Sequence, residues 1–238
     1  MSMSRVDCWR DVPYNLNMER IYLDYAASAP LSPESKAAIE SFVALNPVGN
    51  PSSLHREGRA MQSLLDKAHT TVAAVFGFQP TEVVFTSGAT ESNNLAIRGV
   101  LRAWRKEHNT KPHVVVSSIE HPSWYQTARD EDADVTFVPV GKNGAVEAQA
   151  MIEAIRSHTA LVGCMYVNNE LGTVQPVAEV GKGIETRRHE SSSRWPVFHV
   201  DAVQAFPYMN THNGHMHADM VTLSGHKYGA LGGTGVVL

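Results

Sequence analysis

Two cysteines in 238 residues, Cys8 and Cys164, are too few for a disulfide framework, so nothing here calls for an oxidising compartment. No stretch approaches the roughly 18 consecutive apolar residues of a membrane helix. Neither charge sign forms a long run, and the formal net charge is only −4. That balance points away from nucleic acid or an anionic membrane surface as the main partner. The opening stretch MSMSRVDCWRDVPYN has no apolar core, so it does not read as a secretory signal, and it is too poor in arginine for a mitochondrial one. There is no internal repeat and no low-complexity tract. These absences leave a soluble protein of a reducing compartment, expected in the cytoplasm, or in mitochondria if the source is eukaryotic. Hydrophobic residues make up 43%, enough to bury a substantial core.

What is present is an alternation of two periodicities. Strands are expected at RIYLDY (20–25), EVVFT (82–86), HVVVSS (113–118), DVTFVPV (134–140), ALVGCMYV (160–167), VFHVDA (197–202) and ADMVTLS (218–224), with a further strand after GGTG. Helices are expected at 32–45, 87–104, 121–130, 147–157 and 177–190. Another covers Met61, Leu64, Leu65, Ala68, Val72 and Val75, which recur at helical spacing. Strands alternating with helices predict βα units and a mostly parallel sheet. The near-continuous apolar strands predict helices on both faces of it, a three-layer α/β/α arrangement. RRHESSSRWP (187–196) reads as a polar surface loop, NPVGNPSS (46–53) as a turn-rich loop, and Cys164, inside an apolar strand, as core.

In such sheets ligands sit beyond the carboxyl ends of the strands. Five motifs fall at such ends. In FTSGATESNN a strand runs through Ser87, Gly88, Ala89 and Thr90 into a helix, which suits a phosphate but equally an ordinary capped helix start. In SSIEHP, His121 can stack on a planar ligand, move a proton or serve as a cap. In MYVNNELGTVQP, Asn168 and Asn169 can hold a carboxylate or phenolic oxygen, or can be turn residues. In VFHVDAVQA, Asp201 ends an apolar strand and needs a cation or a protonated ring nitrogen unless it is a helix cap. Gln204 follows three residues on. In TLSGHKYGAL, Ser224 and His226 flank Lys227, a solvated charge or an amine held for use. HNGHMH gathers His212, His215 and His217, but no cysteine or carboxylate cluster completes a ligand set, so no metal is expected.

Each motif is ambiguous by itself. Together they supply a phosphate cradle, a ring stacker, an anion for a pyridine nitrogen, a donor for a ring hydroxyl and an amine for a Schiff base, the requirements of pyridoxal 5'-phosphate. The ordered series YLDYAASAP, GNPSSLHREGR, VVFTSGATESNNLAI, SSIEHP, VNNELGTVQP, FHVDAVQA and SGHKYG resembles the class V aminotransferase group, specifically the cysteine desulfurases of the NifS/IscS type.

The resemblance implies a pyridoxal-phosphate-binding large domain over residues 20–238, preceded by an arm at 1–19. The family's C-terminal small domain is missing, so a fragment or short form is expected. It implies that Lys227 forms the Schiff base and that His121 stacks on the ring. Asp201 pairs with the ring nitrogen and Gln204 contacts the ring hydroxyl. Ala89, Thr90, Ser224 and His226 hold the phosphate, and Asn169 lies beside the cofactor and the substrate carboxylate. The implied reaction turns L-cysteine into L-alanine and leaves sulfur on a protein thiol, for iron–sulfur cluster or thio-cofactor assembly. L-Selenocysteine is the alternative substrate, as in selenocysteine lyase, and a catalytically incompetent cofactor-binding scaffold is the non-enzymatic alternative. A homodimer and a sulfur-acceptor protein are the implied partners. The family's nucleophilic cysteine lies well downstream of the Schiff-base lysine, and neither Cys8 nor Cys164 matches its position. AASAP and the GALGG after Lys227 also depart from the usual pattern.

Overall fold

A computed structural model describes residues 21–238. The described chain contains helices α1 (Pro33–Ala44), α2 (Arg56–Phe76), α3 (Ala89–His108), α4 (Pro122–Asp130), α5 (Ala148–Glu153), α6 (Val177–Ser191) and α7 (Asn213–Met216). They alternate with strands β1 (Val84–Thr86), β2 (His113–Ser117), β3 (Asp134–Val138), β4 (Thr159–Met165), β5 (Val197–Asp201), β6 (Met220–Ser224) and β7 (Gly235–Val237). The strands form one sheet in the order β1-β7-β6-β5-β4-β2-β3. The pairs β2/β3, β2/β4, β4/β5 and β5/β6 are parallel. Only β7 runs the other way, between β6 and β1.

Alternation along each strand assigns the two faces. Val115, Val162, Cys164, Phe198 and Val200 point to one side, where Val177, Val180 and Ile184 of α6 and Met151 of α5 cover them. Val114, Val116 and Leu161 point to the other, under Ile97, Leu101 and Trp104 of α3 and Trp124 of α4. The three layers expected from the apolar strands are therefore present. Cys164 is fully buried in the first cluster, as its apolar strand implied.

The sheet also fixes where α4 enters the site. Gly163 on β4 lies under Trp124, and a Cβ there would stand 2.1 Å from the indole ring, so only glycine admits this packing. The indole Nε1 donates to His199 Nδ1 on β5 at 2.7 Å, and His199 Nε2 meets Thr222 Oγ1 on β6 at 2.9 Å. Burial pushes the His199 imidazole down to about 3, so the ring is neutral. With Nδ1 accepting, its proton sits on Nε2, toward Thr222. This chain of contacts ties the first turn of α4 to the middle of β5 and of β6.

Two expectations need correction. The strand expected at 20–25 is not formed: residues 21–24 have no regular structure and 25–27 lie in a turn, while residue 20 lies outside the described residues. Asp24 Oδ1 accepts from Ala27 N at 3.2 Å, and the Tyr22 hydroxyl donates to the carbonyls of Asp24 and Ser28. Side-chain turn chemistry thus satisfies the backbone without a neighbouring strand. The polar loop expected at 187–196 begins inside a helix, because α6 runs to Ser191. It then turns inward, and Trp195 packs edge-on against Trp104. The arm at 1–19 lies outside the described residues.

Candidate active site

Four parallel-running strand ends and the turn after β1 meet at one cavity of about 360 Å³. Its walls include Gly88, Ala89, Thr90, His121, Asn169, Asp201, Gln204, His226 and Lys227. Eight of the nine residues to which the resemblance gives a role therefore share one pocket of ligand size. Ser224 is the exception. It is fully buried and does not line the cavity, and its Oγ contacts His226 Nδ1 at 2.9 Å.

The β1–α3 turn leaves the start of α3 uncapped by any side chain. Gly88, the residue before α3, has φ +155° and offers no side-chain cap to the helix. The amides of the first helical turn thus face the cavity without an internal partner. A Cβ on Gly88 would stand 3.9 Å from Ser224 Oγ, with no other heavy atom within 4 Å, so the glycine leaves room for a ligand. Ser87 does not contribute its hydroxyl, because its Oγ and N both donate to Glu91 Oε2, at 2.6 and 2.7 Å. Those bonds hold the Glu91 carboxyl below its usual range.

Asp201, at the end of β5, is buried. Its Oδ1 accepts from Val203 N at 3.1 Å and its Oδ2 from Asn93 Nδ2 at 3.0 Å. Burial raises its carboxyl, opposed by these two bonds and by the charges of His121 and Lys227. No ion-pair partner reaches it among the described residues, so the carboxylate lacks a cation in contact. Lys227, in the turn after β6, donates from Nζ to the carbonyls of Ala26 and Ala27, at 2.6 and 2.9 Å. Burial lowers its ammonium, opposed by Asp24 and Asp201, which favours the free amine needed for nucleophilic chemistry. Gln204 Nε2 donates to the same Ala26 carbonyl at 2.9 Å. His226 is also lowered, by burial first and then by Lys227. His121 precedes α4 as its cap: Ser123 N donates to its Nδ1 at 3.2 Å. The other ring nitrogen, Nε2, remains for the cavity.

The two asparagines separate cleanly. Asn168 is buried and is a turn residue: its Oδ1 accepts from Glu170 N and Leu171 N, and its Nδ2 donates to Ile119 O. Asn169 faces the cavity. Residues that the motifs did not single out include Met165 and Val203 in the wall, and Asn93, Ser123 and Glu120 behind it. Of the HNGHMH histidines, His215 lies in α7, His212 and His217 cap its two ends, and His217 Nδ1 sits 3.1 Å from Glu185. No group of three metal-capable side chains occurs among the described residues.

Glu120 gives the site a pH signature. Its Oε1 accepts from the Ser117 hydroxyl and from Met165 N, at 2.7 Å for the latter, while Oε2 is buried without a partner. Burial pushes its carboxyl up to about 8, with the hydrogen bonds opposing and Asp201 adding to the rise. The folded state thus binds this proton more tightly than the unfolded chain. The associated stability is complete below the ordinary carboxylate range and is lost as pH rises through about 8. Glu120→Gln keeps the accepting oxygen and cannot ionise. Thermal melts between about pH 6 and about pH 9 are expected to fall more steeply for the wild type than for Glu120→Gln. Parallel curves would contradict this placement of the proton.

Comparison with known proteins identifies the lineage. The family model "Aminotransferase class-V" matches residues 21–238. The chain belongs to the class-V aminotransferase family. A relative in Bacillus subtilis (strain 168), "Putative cysteine desulfurase IscS 1", is 39% identical over 223 residues, which is 92% of this chain and 55% of that protein. The Drosophila melanogaster "Cysteine desulfurase, mitochondrial" is 38% identical, covering 94% of this chain and 48% of its own length. A solved structure, "SspA in complex with cysteine", superposes with a TM-score of 0.81 at 36% identity, over 92% of this chain and 60% of that one. The chain thus spans about half the length of the curated relatives it matches.

Class-V aminotransferases of the desulfurase type are pyridoxal-phosphate enzymes, and the donor set of this cavity fits that group. An uncapped helix start with Gly88 open above it suits a phosphate. A buried carboxylate lacking a cation suits a protonated ring nitrogen, and a half-buried amine suits the aldehyde. No helix of the described residues is long and apolar enough to cross a membrane.

Proposed function

We propose that this chain carries the cofactor-binding half of a pyridoxal-phosphate-dependent cysteine desulfurase that converts L-cysteine to L-alanine. The observation that carries the reading is the convergence of Lys227, Asp201 and His121 on one cavity beside an open helix start. When bound, the cofactor supplies an electron sink that labilises bonds at the amino acid's Cα and Cβ. The protein's own groups do the rest. Lys227 offers the amine that anchors the cofactor. Asp201 holds the ring nitrogen protonated, and Ala89, Thr90 and His226 hold the phosphate. Asn169 takes the substrate carboxylate, Gln204 the ring hydroxyl, and His121 packs on the ring and handles a proton at Nε2.

The sulfur step balances without an external oxidant or reductant. The acceptor thiolate bonds to the substrate sulfur as the Cβ–S bond breaks, the bonding pair stays with the carbon fragment, and Cβ takes up a proton so that cysteine leaves as alanine. Cys164 does not accept the sulfur, because it is buried and burial raises its thiol well above its ordinary range. The acceptor thiol therefore comes from outside residues 21–238, and the surrounding small domain is part of the same proposal. A second copy of the chain is the proposed partner. Leu23 and Leu54, each 86% exposed, lie with Ile21, Leu45 and Val48 on the segments around α1, where they suit burial between subunits. Sulfur delivery to an acceptor protein for iron–sulfur assembly, in the cytoplasm or in mitochondria, completes the reading.

The test is alanine release from L-cysteine by the cofactor-loaded chain with an added thiol as acceptor. Alanine and persulfide sulfur formed in equal amounts are expected. A loaded chain that consumes L-selenocysteine but leaves L-cysteine untouched would replace this reading with that of a lyase.

A further inference from the structure

One buried amide links the two groups that flank the proposed cofactor ring. Asn93 lies in the second turn of α3 and is fully buried. Its Nδ2 donates to Asp201 Oδ2 at 3.0 Å and to Ser123 Oγ at 3.0 Å. Ser123 Oγ in turn meets His121 Nδ1 at 2.8 Å. The direction of each bond follows from chemistry. An ionised Asp201 can only accept, so the NH₂ of Asn93 must face it, and the reverse amide orientation would set oxygen against oxygen. Ser123 Oγ accepts from that NH₂, which leaves its own proton for His121 Nδ1. Ser123 N–H points at the same nitrogen. His121 Nδ1 is thus held as an acceptor by two donors, and the neutral ring carries its proton on Nε2.

Asparagine is a poor helix former, and its Oδ1 here is buried without a partner. Packing alone would favour an apolar side chain at this place in α3. We propose that Asn93 is a positioning residue, dividing its two amide protons so that Asp201 and the His121 tautomer are set together toward one ligand. This rests on the desulfurase reading for the identity of that ligand, but not for the relay itself.

The relay is tested first in the cofactor-free chain, by nitrogen NMR of labelled histidines with His121→Ala to assign the ring. Wild-type His121 is expected to show an unprotonated Nδ1 and a protonated Nε2. Asn93→Ala and Ser123→Ala are each expected to shift these signals toward a mixture of tautomers. Only Asn93→Ala raises the titration midpoint of Asp201, read by carboxyl carbon NMR. Asn93→Leu, which fills the same space, serves if the alanine variant does not fold. In a spectroscopic titration with pyridoxal 5'-phosphate, loss of the charge-assisted bond is expected to weaken binding about tenfold. A folded Asn93 variant with unchanged His121 signals and an unchanged Asp201 midpoint overturns the proposal. A wild-type chain that binds no cofactor but shows the tautomer shift overturns the functional reading and leaves the relay intact.

Discussion

Replacing Lys227 with alanine abolishes the borohydride-reducible chromophore of the cofactor-loaded chain and lowers alanine formation by about a thousandfold or more. The size follows from what the amine does. Its side chain leaves a 3₁₀ turn after β6, and burial favours its unprotonated form. Among the described residues no other lysine lines the cavity, so none stands ready to replace it. Lys227→Arg sharpens the test. Arginine keeps the charge but stays protonated and forms no such adduct, so it is expected to fail as fully as alanine. Both variants should still melt cooperatively, because Nζ bonds only the carbonyls of the 26–27 turn and no buried core contact depends on it. Retention of the chromophore in either variant would move the Schiff base elsewhere.

The second large effect concerns Asp201, and its sign differs between the free and the loaded chain. A carboxylate buried without a cation is unfavourable when ionised, and burial raises the Asp201 carboxyl in the free chain. Because its folded-state carboxyl is raised, the contribution of Asp201 to stability is present when protonated and is lost as pH rises. Asp201→Asn removes that charge. The cofactor-free variant is therefore expected to melt at or above the wild type at neutral pH. With pyridoxal 5'-phosphate the order reverses. A protonated ring nitrogen would give the wild-type carboxylate its charge partner, whereas a neutral asparagine amide offers that nitrogen none. Turnover is expected to fall by about a hundredfold or more, in line with the loss of a buried charge pair. Melts with and without the cofactor read the sign directly. An equal cofactor-induced shift in wild type and variant would remove Asp201 from the ring nitrogen.

Much of this site was legible because chemistry at strand ends concentrates in short, ordered motifs. Gly88, His121, Asp201 and Lys227 each follow an apolar run at the point where a parallel strand must turn, and the sheet order brings those turns together. Position within a motif was less informative. Asn168 and Asn169 are equivalent as letters, yet one is spent on the turn and the other faces the cavity. The Ser224 hydroxyl contacts His226 and also borders the open space at Gly88. Asn93 and Glu120 left no readable trace, because their importance lies in burial and in partners far along the chain, 108 and 45 residues away. The expected strand at 20–25 failed for a local reason: alternation of apolar residues predicts a strand only where an edge is offered, and Asp24 closed a turn instead.

The claim that these motifs assemble one working cofactor site reduces to the bond at Lys227. Loading the chain with pyridoxal 5'-phosphate, reducing it with borohydride and mapping the labelled peptide by mass spectrometry tests that bond. A single pyridoxyl-lysine is expected, in the peptide containing SGHKYG. A label spread over surface lysines, or none on a folded chain, would contradict it.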